Sequence, residues 1–418
     1  MLMSVKKCFS VPKRFVILVL KIGISFYEVL YVKWNISIKK VKKGVNIIGF
    51  ARGDFGLGEH MRLTTHALVT TEIDLCVNNS GYTGVSSRNS ELNHLIVKRN
   101  PFLINLFCYN PPQILDYIMS AKGIVAQKKH YNIGYGYWEL TVYPSDWAKQ
   151  TLYLNEIWAP TLFVRDVIAS STNKPVYHMP IPVEFDEPKG FSRAQFGLPE
   201  TSFVFLFTFD MGSNTNRKNP EAVIQAFAQA FPIEKKDDVT LVIKCSSQTA
   251  NKLQDHVKRK EELLNRIAYD NRIILIDKTL DRASILGLIS VCDVYVSLHR
   301  SEGFGLGMAE AMKMQKVVIA TNFSGNTDFM NSENSCPVDY TLVNVKKDEY
   351  PYVENRAQWA DPNIEHAAYY MEKVFKNKDF YVKTATAAKL YIEEYHSFAA
   401  IGERHKARIT EIFKTVMA

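Results

Sequence analysis

No D-x-D triplet occurs anywhere in the 418 residues. No H-E-x-x-H or other helical histidine pair occurs either, so the short metal-binding motifs are without ligands and the expected chemistry needs no metal. The six cysteines (Cys8, Cys76, Cys108, Cys245, Cys292, Cys336) contain no C-x-x-C pair. That pattern excludes a zinc ribbon and a disulfide frame, and leaves small buried hydrophobes of a reducing compartment. No small-x-small site follows the long apolar run near the start, which argues against a cleaved signal peptide. Short repeats and low-complexity tracts are also missing. The glycines of "GFARGDFGLGEHMR" (49–62) stand at Gly49, Gly53, Gly56 and Gly58, so this loop is not a G-x-G-x-x-G fingerprint.

What is present is long enough for two or three domains, with ordinary globular composition. Positive charge is concentrated at one end. Residues 1–43 carry ten Lys or Arg against one acid, Glu28, while the chain as a whole is +8. Such a block seeks phosphate on lipid or nucleic acid; the other reading is a solvated tail. Nucleic acid is disfavoured, because aromatic and basic residues are not interleaved there in a recognisable module. Within the block, "FVILVLKIGISFYEVLYV" (15–32) is interrupted by Lys21 and Glu28. On a helix, Lys21, Ser25 and Glu28 form one polar stripe, the pattern of a helix lying in the membrane interface. A transmembrane span and a helix on the protein's own core are the alternatives. The expected location is the cytoplasmic face of the plasma membrane, peripherally bound.

From Val45 onward, short apolar runs alternate with amphipathic stretches, as in a parallel sheet covered on both faces. Strands are expected at 45–50, 102–110, 131–138 and 156–160. The proline-rich "HMPIPVEFDEPKG" (178–190) interrupts the pattern and is expected to link domains. The alternation then restarts, with strands at 203–209, 239–244, 272–276, 293–299 and 316–320. One long final helix is expected over about 386–414. The organisation is therefore a basic extension (1–43), a first α/β domain (44–183), a second (184–395) and a terminal helix (396–418) able to reach back over the first.

"SEGFGLGMAEAM" (301–312) lies between a strand and a helix. Its glycines let a ligand approach the backbone, and the helix start offers free N–H groups to an anion. Glu302 and Glu310 would repel a bare phosphate, but carboxylates accept paired hydroxyls well. A ligand with both phosphate and diols satisfies both features, which points to a nucleotide sugar. A solvated helix start is the plainer reading. In "FDMGSNTNRKNPEAVIQAFAQAF" (209–231), Arg217 and Lys218 follow a strand end and can neutralise a diphosphate leaving group. Asn219 is the expected cap of the helix opened by Pro220. Arg52, Asp54 and Glu59 are candidate contacts of the 49–62 loop, which is otherwise a structural turn. Trp138 could stack on a sugar ring and Glu139 bind acceptor hydroxyls; a core tryptophan and a capping acid are the alternative. "TNFSGNTDF" (321–329) is either donor-pocket lining or an Asx-rich turn. The lone His60, His66 and His299 are expected to be structural.

"SEGFGLGMAEAM" looks like the E-x7-E motif of retaining GT-B glycosyltransferases of the family-4 kind. The 209–231 segment, and "GYWELTVYPSDWAKQTLYLNEIWAPTLFVRDVI" (136–168), resemble the same group, over roughly residues 45–400. The resemblance implies two Rossmann-like doubly wound domains facing across a cleft, preceded here by the basic extension. It implies hexose transfer from a nucleoside diphosphate to a hydroxyl of a growing glycan, with retention of configuration. No cofactor beyond the nucleotide-sugar substrate is implied. Glu302, Lys218 and Arg217 would be catalytic. Ser301, Gly303, Phe304, Gly305, Leu306, Gly307, Glu310, Ser213 and Asn326 would hold the donor. Gly56, Leu57, Gly58, Glu59, Trp138 and Glu139 would face acceptor or phosphate. The group usually has an Arg where Ser213 stands. A surface polysaccharide or lipopolysaccharide, built on a lipid carrier, is the expected acceptor. A nucleotide-sugar-binding subunit without activity, an epimerase and a phosphorylase are the rival readings.

Overall fold

The computed structural model describes residues 41–79, 91–119, 130–246 and 254–417. The expectations for the basic segment lie outside the described residues, apart from Lys42 and Lys43, which open the first strand. No helix among the described residues is long and apolar enough to cross a membrane.

Two six-stranded parallel sheets form, as the alternating pattern predicts. The first holds β1 (Lys42–Gly49), β2 (Leu75–Asn79), β3 (Phe102–Phe107), β4 (Tyr131–Tyr135), β5 (Glu156–Ala159) and β6 (Val176–His178). Its order is β2-β1-β3-β4-β5-β6. The second holds β7 (Phe203–Thr208), β8 (Val239–Cys245), β9 (Ile273–Asp277), β10 (Val294–Ser297), β11 (Val317–Thr321) and β12 (Cys336–Val338). Its order is β12-β11-β10-β7-β8-β9. Strand order reverses between β1 and β3 in one sheet and between β7 and β10 in the other. At such switch points the loops at the strands' carboxyl ends diverge and leave room for a ligand. The loops after β1, β7 and β10 are the three glycine-rich or charged segments singled out above.

The strands are apolar because helices cover both faces of each sheet. Val45, Ile47 and Ile48 of β1 are fully buried, as are Val317, Val318 and Ile319 of β11. One polar row runs through the first sheet. Asn46 donates to Asn105 and Asn105 to Asn132, each at 2.9 Å, across strands paired at those residues. The amides satisfy one another, so their burial costs little.

Two expectations need correction, and one element was not foreseen. Trp138 and Glu139 do not end a strand: β4 stops at Tyr135, and both lie in the loop beyond it. The single final helix is two, Lys378–Tyr395 and Phe398–Met417, broken at His396. There the His396 carbonyl accepts from Val183 N (2.7 Å) and its Nδ1 meets Ile181 O (3.1 Å), which turns the chain. The last helix then packs on helix Gly56–Val69 of the first lobe, where an added Cβ at Gly402 would lie 2.3 Å from Ala67 O. Arg408 pairs with the buried Glu156 of β5 at 2.6 Å and secures it. Finally, residues after β12 form an unexpected antiparallel hairpin, β13 (Tyr340–Asn344) and β14 (Gln358–Pro362). It leaves the second sheet and buries Ala357 and Trp359 against Trp138, Tyr143 and Trp147 of the first lobe. Gln358 N donates to Thr141 Oγ1 at 2.8 Å.

Candidate active site

The loop after β10 carries Ser301 and Glu302. Its backbone is zipped to the turn after β11: Glu302 N donates to Ser324 Oγ (2.7 Å) and Gly325 N to Glu302 O (2.9 Å). An added Cβ at Gly325 would stand 2.4 Å from the Gly303 carbonyl, so only glycine permits this approach. Gly305 has φ +98° and turns the chain into helix Leu306–Lys313. The first intrahelical bonds are made by Met308 and Ala309 to Gly305 O (3.0 and 3.2 Å). The amides of Leu306 and Gly307 precede them in the first turn, where the helix itself supplies no acceptor. Gly307 lets the helix rest on Tyr295, whose hydroxyl would meet an added Cβ at 2.5 Å.

Onto this loop converge the cations of the segment after β7. Asn214 accepts from Arg217 N at 2.9 Å and caps the short helix Thr215–Lys218. Asn219 does not cap the next helix as expected. It adopts φ 55° and donates to Leu298 O at 3.1 Å, tying the two loops together. Glu302 stands between both cations, 2.5 Å from Lys218 Nζ and 3.1 Å from Arg217 Nη1. Arg217 Nη1 also donates to Ser301 O at 2.7 Å. Burial alone would raise the Glu302 carboxyl, but Lys218 and then Arg217 outweigh it and hold the group far below the usual carboxylate range. Burial lowers Lys218 despite its acidic partner, and Glu302 holds Arg217 firmly protonated against the same burial.

Glu310, eight residues on, is 2% exposed. Its partner is Arg282, which begins helix Arg282–Val291. Arg282 Nη1 lies 2.6 Å from Glu310 Oε1, and Arg282 Nε lies 3.3 Å from Glu59 Oε1 across the cleft. Glu59 also pairs with Arg62 at 2.6 Å. Glutamates at 59 and 310 therefore face each other through one guanidinium. Burial raises the Glu310 carboxyl, and Arg282 offsets part of that rise.

The lobes also meet at the glycine loop. Thr161 donates to the Gly303 carbonyl at 3.1 Å, and Ser301 Oγ donates to the Glu139 carbonyl. The Glu139 carboxylate accepts from Tyr350 OH at 2.8 Å, and Tyr350 comes from the hairpin insertion. Asn214 reaches the same insertion, donating to Glu349 O at 2.5 Å.

Several expected contacts are committed elsewhere. Trp138 is core: it is buried, donates Nε1 to Val142 O (2.7 Å), and lies edge-on to Trp147 and Tyr350, so it offers no face to a sugar. Phe304 packs on Phe329 and His396 and contributes backbone only. Asn326 is buried, with its amide divided between His299 Nε2 (3.0 Å) and Thr321 O (2.9 Å). Ser213 closes its own turn on Asp210 O. Arg52 turns away to Asn93 at 2.9 Å. His299 is fully buried and burial lowers its pKa, so it stays neutral. Leu57 packs on the first lobe's core, Gly56 stands open, and Gly58 lies against the Gly53 carbonyl. Among the described residues, no group of three or more His, Cys, Asp or Glu is gathered as metal ligands would be.

Arg282, Tyr350 and Thr161 were not singled out in the sequence, and Ser324 was noted only within the 321–329 segment. Arg282 had a local signal, the Asp281 cap opening a helix after a strand. Tyr350 had none, because its partner is 211 residues away.

Residues 188–390 match the family of glycosyl transferases group 1. Comparison with curated proteins finds no match. Among solved structures, HepE of Anabaena, in complex with UDP and glucose, is 12% identical, with TM-score 0.63 over 88% of this chain and 100% of that one. A glycosyltransferase from Rickettsia africae is 16% identical, with TM-score 0.64 over 89% and 99%. Sucrose-phosphate synthase of Thermosynechococcus elongatus is 13% identical, with TM-score 0.64 over 90% and 100%.

Proposed function

We propose that this enzyme moves a hexose from a nucleoside diphosphate to a glycan hydroxyl with retention of configuration, a reading supported by the match of residues 188–390 to the group 1 glycosyltransferases and by the GT-B fold of the described chain. The observation that carries this reading is the convergence of Glu302, Lys218 and Arg217 at one switch point, beside the start of the 306–313 helix. Lys218, one-fifth exposed at its side chain, meets the diphosphate. Arg217, tied to Ser301 O and Glu302, orients the carboxylate that accepts the donor's hexose hydroxyls. Glu310 accepts the ribose hydroxyls. Glu139, steadied by Tyr350, faces the acceptor.

In this account the bond from the anomeric carbon to the phosphate oxygen breaks as the acceptor oxygen bonds to the same face. The acceptor's proton passes to the leaving phosphate. Lys218 and the helix-start amides stabilise the charge that develops there, an effect of about 2.7–4 kcal/mol for one well-placed donor. No metal or cofactor is needed. The basic segment 1–43 holds the enzyme peripherally at the cytoplasmic membrane face. There it takes a lipid-linked acceptor in the assembly of a surface polysaccharide or lipopolysaccharide.

Purified protein incubated with UDP- and GDP-hexoses and a lipid-linked oligosaccharide should yield the extended glycan and free nucleotide, and the product's anomeric signal should match the donor's. Tight nucleotide binding with neither transfer nor donor hydrolysis would instead make it a binding subunit. An inverted anomer would remove the front-face account.

A further inference from the structure

We infer that Arg282 is a positioning residue for nucleotide recognition: from the start of its helix it holds the Glu310 carboxylate ionised and aimed, so that the site distinguishes ribose from deoxyribose. The inference rests on the reading of Glu310 as the ribose contact. Glu310 is almost wholly buried, and a carboxylate in that position needs a countercharge to stay anionic. Arg282 is the cation within contact distance, 2.6 Å away. Yet Glu310 Oε1 is buried without an aligned hydrogen bond, so the contact is an ion pair made off the N–H axis. A buried acceptor that is charged but unfilled calls for hydroxyl donors, and a vicinal diol supplies two.

The rest of the guanidinium fits this role. Its Nε faces Glu59 Oε1 at 3.3 Å, and Glu59 is itself paired with Arg62. Phe185 lies under the guanidinium, 5.9 Å from its ring centre. Held by Glu59 on one side and Phe185 on another, Arg282 presents one edge to Glu310 Oε1. A Glu310 lacking this cation would take up a proton in its apolar surroundings. A neutral carboxyl accepts hydroxyl hydrogen bonds about half as strongly as an ionised one.

The test compares binding of UDP with 2′-deoxy-UDP, and GDP with 2′-deoxy-GDP, by calorimetry on the full chain. The wild type should prefer ribose about tenfold, the contribution of one hydrogen bond to a charged acceptor. In Arg282→Gln that preference should fall to less than about threefold, through weaker binding of the ribonucleotide, while the deoxynucleotide changes little. Arg282→Lys, which keeps the charge, should retain most of the preference. Circular dichroism and unliganded melting identify a variant that has not folded, and Arg282→Met then takes the place of Arg282→Gln. If Arg282→Gln weakens ribo- and deoxynucleotide equally, Arg282 meets the phosphates and the inference fails. Tighter ribonucleotide binding in Arg282→Gln would make Arg282 an occupant of the ribose site, which also overturns it. A wild type that binds nucleotides without ribose preference would remove the reading of Glu310 and the inference together.

Discussion

Replacing Glu302 by Gln separates that residue's charge from its shape. The carboxylate is 2.5 Å from Lys218 and 3.1 Å from Arg217, and its side chain is 12% exposed. Glutamine keeps the volume and one acceptor oxygen but leaves two adjacent cations without a countercharge. Removing one partner of a buried pair costs about 3–5 kcal/mol. Here Arg217 retains the Ser301 carbonyl and Lys218 is partly solvated, so the loss should lie near the lower bound, about 3 kcal/mol. Because the folded carboxyl is depressed, its contribution is present above the ordinary carboxylate range and fades as pH falls through the lower folded value. The deficit of Glu302→Gln should therefore be full at pH 7. A nucleoside diphosphate brings the missing negative charge back. At about a hundred times its Kd it stabilises any binder by ~2.7 kcal/mol, and it should bind the variant more tightly than the wild type. Melting with and without UDP or GDP, calorimetry and turnover together read these effects. Expected are a lower unliganded Tm, a larger ligand-induced shift and a kcat reduced roughly 10²–10³-fold. An unchanged unliganded Tm with a smaller ligand-induced shift would refute the idea that Glu302 supplies the countercharge these two cations need in the unliganded protein.

Tyr350→Phe removes one hydrogen bond to a charged acceptor, worth about 1.5–3 kcal/mol. Acceptor kcat/KM should fall about tenfold or more while nucleotide Kd stays level; equal loss on both would place Tyr350 on the donor side. Trp359→Ala empties a buried site where the insertion meets the first lobe, and should cost about 3–5 kcal/mol by denaturant unfolding. Burial lowers the pKa of His60 and of His405 to about 3. Unfolded histidine binds its proton below about 6.5, so the folded state holds fewer protons in this window and stability is lost as pH falls. Together they should remove about 4 kcal/mol between pH 7.5 and 5; a flat Tm over that range would show that these rings do not stay neutral.

The α/β class was legible because parallel strands buried on both faces are mostly apolar, as in the runs "VNIIGF" and "FVFLFTF". The glycine loop at 301–307 was legible for a local reason too: backbone geometry, here φ +98° at Gly305, leaves a residue signature. Glu302, Glu310 and Lys218 stood out by residue type in the segments that follow strands. Trp138 was misjudged, because a tryptophan after a strand looks alike whether its ring meets ligand or core. The hairpin insertion went unseen, since its short strands alternate weakly and find their apolar surface on the other lobe.

What the chain determined by itself was everything set by near neighbours: strand and helix periodicity, the start and single restart of the α/β pattern, the loops that open at strand ends. What only the tertiary structure decided was which charges meet. Arg282 joins Glu59 to Glu310, Tyr350 reaches Glu139, and Lys218 closes on Glu302 across 84 residues. Coulomb and hydrogen-bond energies depend on distance in space, and sequence separation carries no record of it until the sheets have formed.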